Sequence, residues 1–114
     1  MLNRCIKLAS KLENKKQRIY AIIVDKKGRI LSSGTNSYTK SHPLQAYYCE
    51  LATKEQHKIY FHAELQALVN LKGRKADKIF VARVAKNGTP LPSSPCPICK
   101  MAILDAGIHE VITT

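Results

Sequence analysis

The sequence predicts an α/β domain built on a mixed sheet, and three observations carry that prediction. Ile19 to Val24 is a nearly continuous apolar run and Ile79 to Val84 reads in the same way, which suits strands covered on both faces. Between and around these runs lie stretches whose apolar residues recur at helical spacing. The C-terminal third then reads strand, helix, strand, a right-handed crossover whose two strands are parallel.

Taken in order, the first element is a helix over Leu2 to Leu12, with Leu2, Cys5, Ile6, Leu8, Ala9 and Leu12 on one side and lysines on the other. Ile19 to Val24 is the first strand. Asp25-Lys26-Lys27-Gly28 is a turn in which Gly28 can take positive φ, and Ile30 to Thr35 returns as the second strand of an antiparallel hairpin. Asn36 to Tyr60 is the least regular stretch. His42-Pro43 interrupts it, because a residue before proline avoids the helical region. Leu44, Tyr47, Tyr48 and Leu51 then recur at helical spacing, so Leu44 to Tyr60 is expected to be helical in part. His62 to Leu71 is a helix with Leu65, Leu68 and Val69 inward and Gly73 as its stop. Ile79 to Val84 is the third strand. Lys86 to Thr89 forms a turn, and a Pro/Ser-rich loop leads to a helix over Pro97 to Ala106, ended by Gly107. Glu110 to Thr113 is the last strand.

At 114 residues the chain is expected to form one domain, 1–114, burying about two thirds of its unfolded surface. No apolar run approaches the ~20 residues of a membrane span, and the start of the chain lacks a signal-peptide core, so no membrane partner is expected. Cys5 and Cys49 are read as free thiols of a cytoplasmic protein. The net charge of +11 favours anionic partners, with one basic group at Lys7, Lys11, Lys15, Lys16 and Arg18 and another at Lys72, Arg74, Lys75 and Lys78. Few aromatics accompany it, so charge alone does not establish nucleic-acid binding.

Chemistry concentrates in Phe61-His62-Ala63-Glu64 and Pro95-Cys96-Pro97-Ile98-Cys99. Two thiolates three positions apart at a loop-to-helix junction can hold one metal ion from one side. Pro97 suits the opening turn of a helix, whose positive end favours both thiolates. With His62 as third ligand, the fourth tetrahedral position of Zn²⁺ stays open, as in a catalytic site. Glu64, two residues past His62, is placed to carry protons and not to bind the metal. A second metal site of His42, Cys49 and His57 matches no strict spacing and is set aside. Tyr47, Tyr48 and Tyr60 are read as core or rim aromatics.

The order H-x-E…P-C-x-x-C is the signature of zinc deaminases, and the layout of helices and strands resembles the cytidine deaminase-like fold over nearly the whole chain. The resemblance implies a three-layer α/β/α sandwich with the metal ligands at helix N-termini. Pro92-Ser93-Ser94-Pro95-Cys96 is similar to the Ser-x-Ser-Pro-Cys run of polynucleotide cytidine deaminases, with Pro92 in place of the first serine. Thr35-Asn36-Ser37 and His42-Pro43-Leu44-Gln45 resemble a compact group of phage and bacterial deaminase-like proteins.

The resemblance also implies Zn²⁺ as cofactor and a hydrolytic deamination of cytosine in a nucleoside, nucleotide or single-stranded nucleic acid. Asn36 matches the residue that hydrogen-bonds sugar or base, the Ala63 N–H matches the donor to the pyrimidine carbonyl, and the Ser94 carbonyl matches the acceptor of the leaving amine. Related proteins continue past the last strand with elements that contact the base. Since these are missing from this sequence, either a partner subunit completes the pocket or the pocket is open and tolerant, and a homo-oligomer that supplies the wall is expected. The residues leave open an adenine deaminase on RNA and an inactive deaminase-like binding protein. Retention of Glu64 argues against the second, because a structural zinc site needs no proton carrier.

Overall fold

The computed structural model describes residues 1–12, 18–36, 42–53 and 62–114. Its elements are α1 (Leu2–Ser10), β1 (Arg18–Val24), β2 (Ile30–Thr35), α2 (Pro43–Thr53), α3 (Ala63–Leu71), β3 (Lys78–Val84), β4 (Pro90–Leu91), α4 (Pro97–Asp105) and β5 (Glu110–Thr113). Lys15, Lys16, His57, Tyr60 and Phe61 fall outside the described residues. None of the described helices is long and apolar enough to cross a membrane.

The sheet runs β2-β1-β3, with β1 antiparallel to both neighbours. The far edge of β3 is shared. Its N-terminal half pairs in parallel with β5, from Lys78 opposite Glu110 to Val81 opposite Thr113, and its end pairs antiparallel with β4 at Arg83 and Val84. The expected hairpin and parallel C-terminal pair are both present. β4 lies within the stretch read as loop.

Strand periodicity divides the apolar side chains between two faces. Ile22, Val24, Ala82 and Val84 pack with Cys5 and Ala9 of α1 on one side. Ala21, Ile23, Ile79 and Val81 pack with Ala63, Ala67 and Leu71 of α3 and Ile103 of α4 on the other. α2 covers α4 from outside. The result is an α/β/α sandwich, and two-sided burial explains the nearly continuous apolar runs. Cys5 and Cys49 are buried, and neither is in a disulfide.

Two details differ from the sequence reading. The residues of α3 that face the sheet are chiefly Ala63, Ala67 and Leu71, whereas Leu65 packs away from it with Ala102 of α4 and Tyr48 of α2. Flanked by packing on several sides, α3 has no single apolar stripe to read. The left-handed turn after α3 begins one residue early, at Lys72 (φ 55°), before Gly73 (φ 72°).

α3 lies along β2 because β2 carries no bulk there. Gly34 faces the first turn of the helix, and a Cβ at this position would meet the Ala63 carbonyl oxygen and the Ala67 nitrogen. Side chains one turn apart on α3 and its C-terminal extension then occupy the open edge of β2. Gln66 Oε1 accepts from the Thr35 N–H at 2.7 Å, Asn70 Nδ2 donates to the Ser33 carbonyl at 2.9 Å, and the Arg74 guanidinium donates to the Leu31 carbonyl at 2.7 Å.

Candidate metal centre

Two helices start beside one another, and each is preceded by a residue with metal-binding chemistry. His62 (φ −78°, ψ 153°) precedes α3, and Cys96 (φ −68°, ψ 164°) precedes α4. Both are extended, and their carbonyls accept the opening helical bonds from the Gln66 N–H (3.0 Å) and the Lys100 N–H (2.9 Å). Pro97 occupies the first turn of α4, where its missing N–H would have had no helical acceptor. Cys99 follows Cys96 by three positions, nearly one helical turn, and is fully buried.

The loop that delivers Cys96 is anchored at the junction of β4 and β5. The Ser93 hydroxyl donates to the Val81 carbonyl at 2.8 Å, and its N–H donates to the Thr114 carbonyl at 3.2 Å. The Thr114 hydroxyl donates in turn to the Leu91 carbonyl at 2.6 Å.

His62 Nδ1 lies 3.2 Å from Cys99 Sγ and 3.6 Å from Cys96 Sγ, and the three ligand atoms lie within 4.8 Å of one another. Zinc bonds of ~2.3 Å to sulfur and ~2.0–2.1 Å to nitrogen at tetrahedral angles set the two elements about 3.6 Å apart, so the donors fit this ion. No other such group occurs among the described residues.

The two thiols divide unequally. A hydrogen bond from Cys99 holds Cys96 down at about 4, against the effect of burial and with further help from His62. The same hydrogen bond, together with burial and the nearby Glu64 carboxylate, pushes Cys99 up.

Glu64, the second residue of α3, is 7% exposed. Burial raises its carboxyl above the usual range, while a backbone N–H and the nearby His62 work in the opposite direction. It stands outside the three-atom group, with Cys99 near enough to favour its ionised form.

The other expected site residues are placed as follows. Ala63, fully buried, opens α3 between His62 and Glu64, so its N–H is one of the first-turn donors without a helical acceptor. Ser94 is exposed, two residues before Cys96. Asn36 is buried just past β2, and its Oδ1 accepts the Ile19 N–H at 3.2 Å, so its oxygen holds the start of β1. His42 serves α2, with Nδ1 accepting the Leu44 N–H at 3.1 Å. Of the basic residues, Arg74 is spent on backbone carbonyls, and Lys78 lies 3.7 Å from Glu110. The sequence reading assigned no role to Gln45, whose side chain contacts the backbone of His62. That contact joins distant parts of the chain, and no local pattern announces it.

A His/Cys/Cys centre at the starts of two helices, under an α/β/α sandwich, defines a class of zinc hydrolase fold. The chain belongs to the family described as the cytidine and deoxycytidylate deaminase zinc-binding region, which matches residues 1–114. Among solved structures, the apo dCMP deaminase of cyanophage S-TIM5 is 22% identical, with a TM-score of 0.62 over 98% of this chain and 77% of that one. The cytidine deaminase of Mycobacterium tuberculosis is 18% identical, with a TM-score of 0.56 over 100% of this chain and 80% of that one. At these identities the likeness speaks for the fold. No curated protein sequence matches the chain.

Proposed function

We propose that the protein is a zinc-dependent hydrolytic deaminase that converts the cytosine base of a nucleoside, nucleotide or single-stranded nucleic acid to uracil, releasing ammonia. The observation that carries this reading is the placement of Glu64, a buried carboxylate beside the His62/Cys96/Cys99 group but outside it. A purely structural metal site has no use for that carboxylate.

His62, Cys96 and Cys99 would hold the ion. Bound zinc supplies Lewis acidity that makes water nucleophilic near neutral pH. Glu64 takes the proton from the attacking water and passes it to the ring nitrogen beside the amino-bearing carbon. It then takes the proton of the newly added hydroxyl and delivers it to the amino group, which leaves as ammonia while the C–O bond becomes C=O. One carboxylate makes both transfers, so its length and basicity both matter. The Ala63 N–H orients the base carbonyl, the Ser94 carbonyl receives the departing amine, and Asn36 hydrogen-bonds sugar or base.

The reading takes residues 1–114 as one catalytic domain that works as a homo-oligomer in the cytoplasm, where Cys5 and Cys49 stay reduced. The test is ammonia release from zinc-loaded protein mixed with cytidine, deoxycytidine, their monophosphates and short single strands. Repeating it at several salt concentrations separates the substrates, since polynucleotide binding falls by ~0.7 log units per neutralised phosphate for each log unit of salt. Ammonia from none of these compounds would overturn the proposal.

A further inference from the structure

Gln45 lies in the first turn of α2, and its side chain is entirely buried. Its Oε1 accepts the backbone N–H of His62 at 3.1 Å, while its Nε2 has no hydrogen-bond partner among the described residues. The chemistry fixes which end is which, because only the amide oxygen can accept from an N–H.

His62 precedes α3, and its own N–H needs an acceptor. In many helices a Glu or Gln three residues into the helix reaches back to that N–H. Here that position is Leu65, apolar and 1% exposed, so α3 cannot satisfy its own start. The acceptor comes from α2 instead. α2 is free to supply it because His42 handles its opening turn, taking the Leu44 N–H on Nδ1 and the Gln45 N–H on its carbonyl at 2.9 Å. The Gln45 side chain is left to cross between helices.

Packing alone does not account for an amide at this position. An unpaired amide nitrogen in the interior is destabilising, and an apolar side chain of similar length would avoid that penalty. Such a side chain could not supply an acceptor to His62.

We propose that Gln45 is the positioning residue of the metal centre. Its side-chain carbonyl fixes the backbone of His62, and thereby the imidazole that faces Cys96 and Cys99. This rests on the reading of His62 as a zinc ligand. Groups that orient a ligand from outside the first coordination sphere typically change metal affinity by ~10–100-fold when removed.

The test uses the full chain and three variants, loaded with zinc or cobalt. Gln45→Met keeps length and bulk but lacks the acceptor, Gln45→Asn withdraws the amide from His62, and Gln45→Glu keeps an acceptor in place. The Met and Asn variants are expected to bind zinc ~10–100-fold more weakly in competition with a chelator and to shift the cobalt d–d absorption. The Glu variant should recover much of both. The Asn variant decides the matter if the Met variant does not fold. Zinc affinity and cobalt spectra unchanged in both would overturn the proposal, as would a Glu variant no better than Met. Parent protein that binds neither metal would remove the zinc reading, and this one with it.

Discussion

Gly34 of β2 rests directly against Ala63 of α3. A Cβ at Gly34 would run into the Ala63 carbonyl oxygen and come within 2.6 Å of the Ala67 nitrogen. Because Ala63 stands between His62 and Glu64, this contact sets the depth at which both are presented.

Gly34→Ala should therefore push α3 away from β2. Overpacking of this kind costs about 1–3 kcal/mol, and here the obstacle is backbone, which cannot rotate aside. The thermal midpoint should fall, and zinc affinity should fall with it. A variant as stable as the parent would mean that α3 shifts without strain.

The metal ligands give the second prediction. Zinc at 100 times its dissociation constant should stabilise the fold by ~2.7 kcal/mol, seen as a rise in Tm. Cys99→Ala should abolish that rise, since it removes one donor of three. Stoichiometric zinc in the purified variant would contradict the assignment.

Glu64→Ala separates chemistry from structure. It should keep its zinc and its fold while deamination drops ~10²–10⁴-fold. A variant without zinc would make Glu64 a ligand, and one that stays active would remove it from the mechanism.

Much of this was legible because the chemistry is local. His62 and Glu64 lie on one turn and Cys96 and Cys99 on another, and each pair sits where a loop becomes a helix. The strands were legible because β1 and β3 are covered on both faces. Contacts between distant segments were not. Gln66, Asn70 and Arg74 look like an ordinary solvent face at four-residue spacing, yet they satisfy the open edge of β2. Pro90 and Leu91 carry no strand signal of their own, and β4 exists because the end of β3 leaves an edge to pair.

That polar row supports a further prediction. An edge strand with unpaired backbone groups invites pairing with other chains. Asn70→Leu frees the Ser33 carbonyl, so stability should fall by about 1 kcal/mol. Light scattering on warming should begin at a lower temperature than in the parent, with zinc binding unchanged. Equal scattering in the two proteins would show that Gln66 and Arg74 protect the edge unaided.

Self-association is the last expectation. β5 pairs with β3 on one side, and no described strand covers its other edge. α2 and α4 pack together and turn apolar side chains outward, with Leu104 61% exposed, Tyr47 54% and Leu51 48%. Burying such surface gains ~25 cal/mol per Å² before the costs of association. The charge of +11 opposes contact between copies, but exposed charges are screened beyond ~8 Å at physiological salt. A homo-oligomer, a dimer at least, is therefore expected by sedimentation at micromolar concentration and moderate salt. Lower salt should shift the balance toward monomer, because screening weakens while the apolar term hardly changes. Leu104→Asp should do the same at any salt if the outward face of α4 is used. A protein monomeric throughout that still releases ammonia would show that one chain holds the whole site.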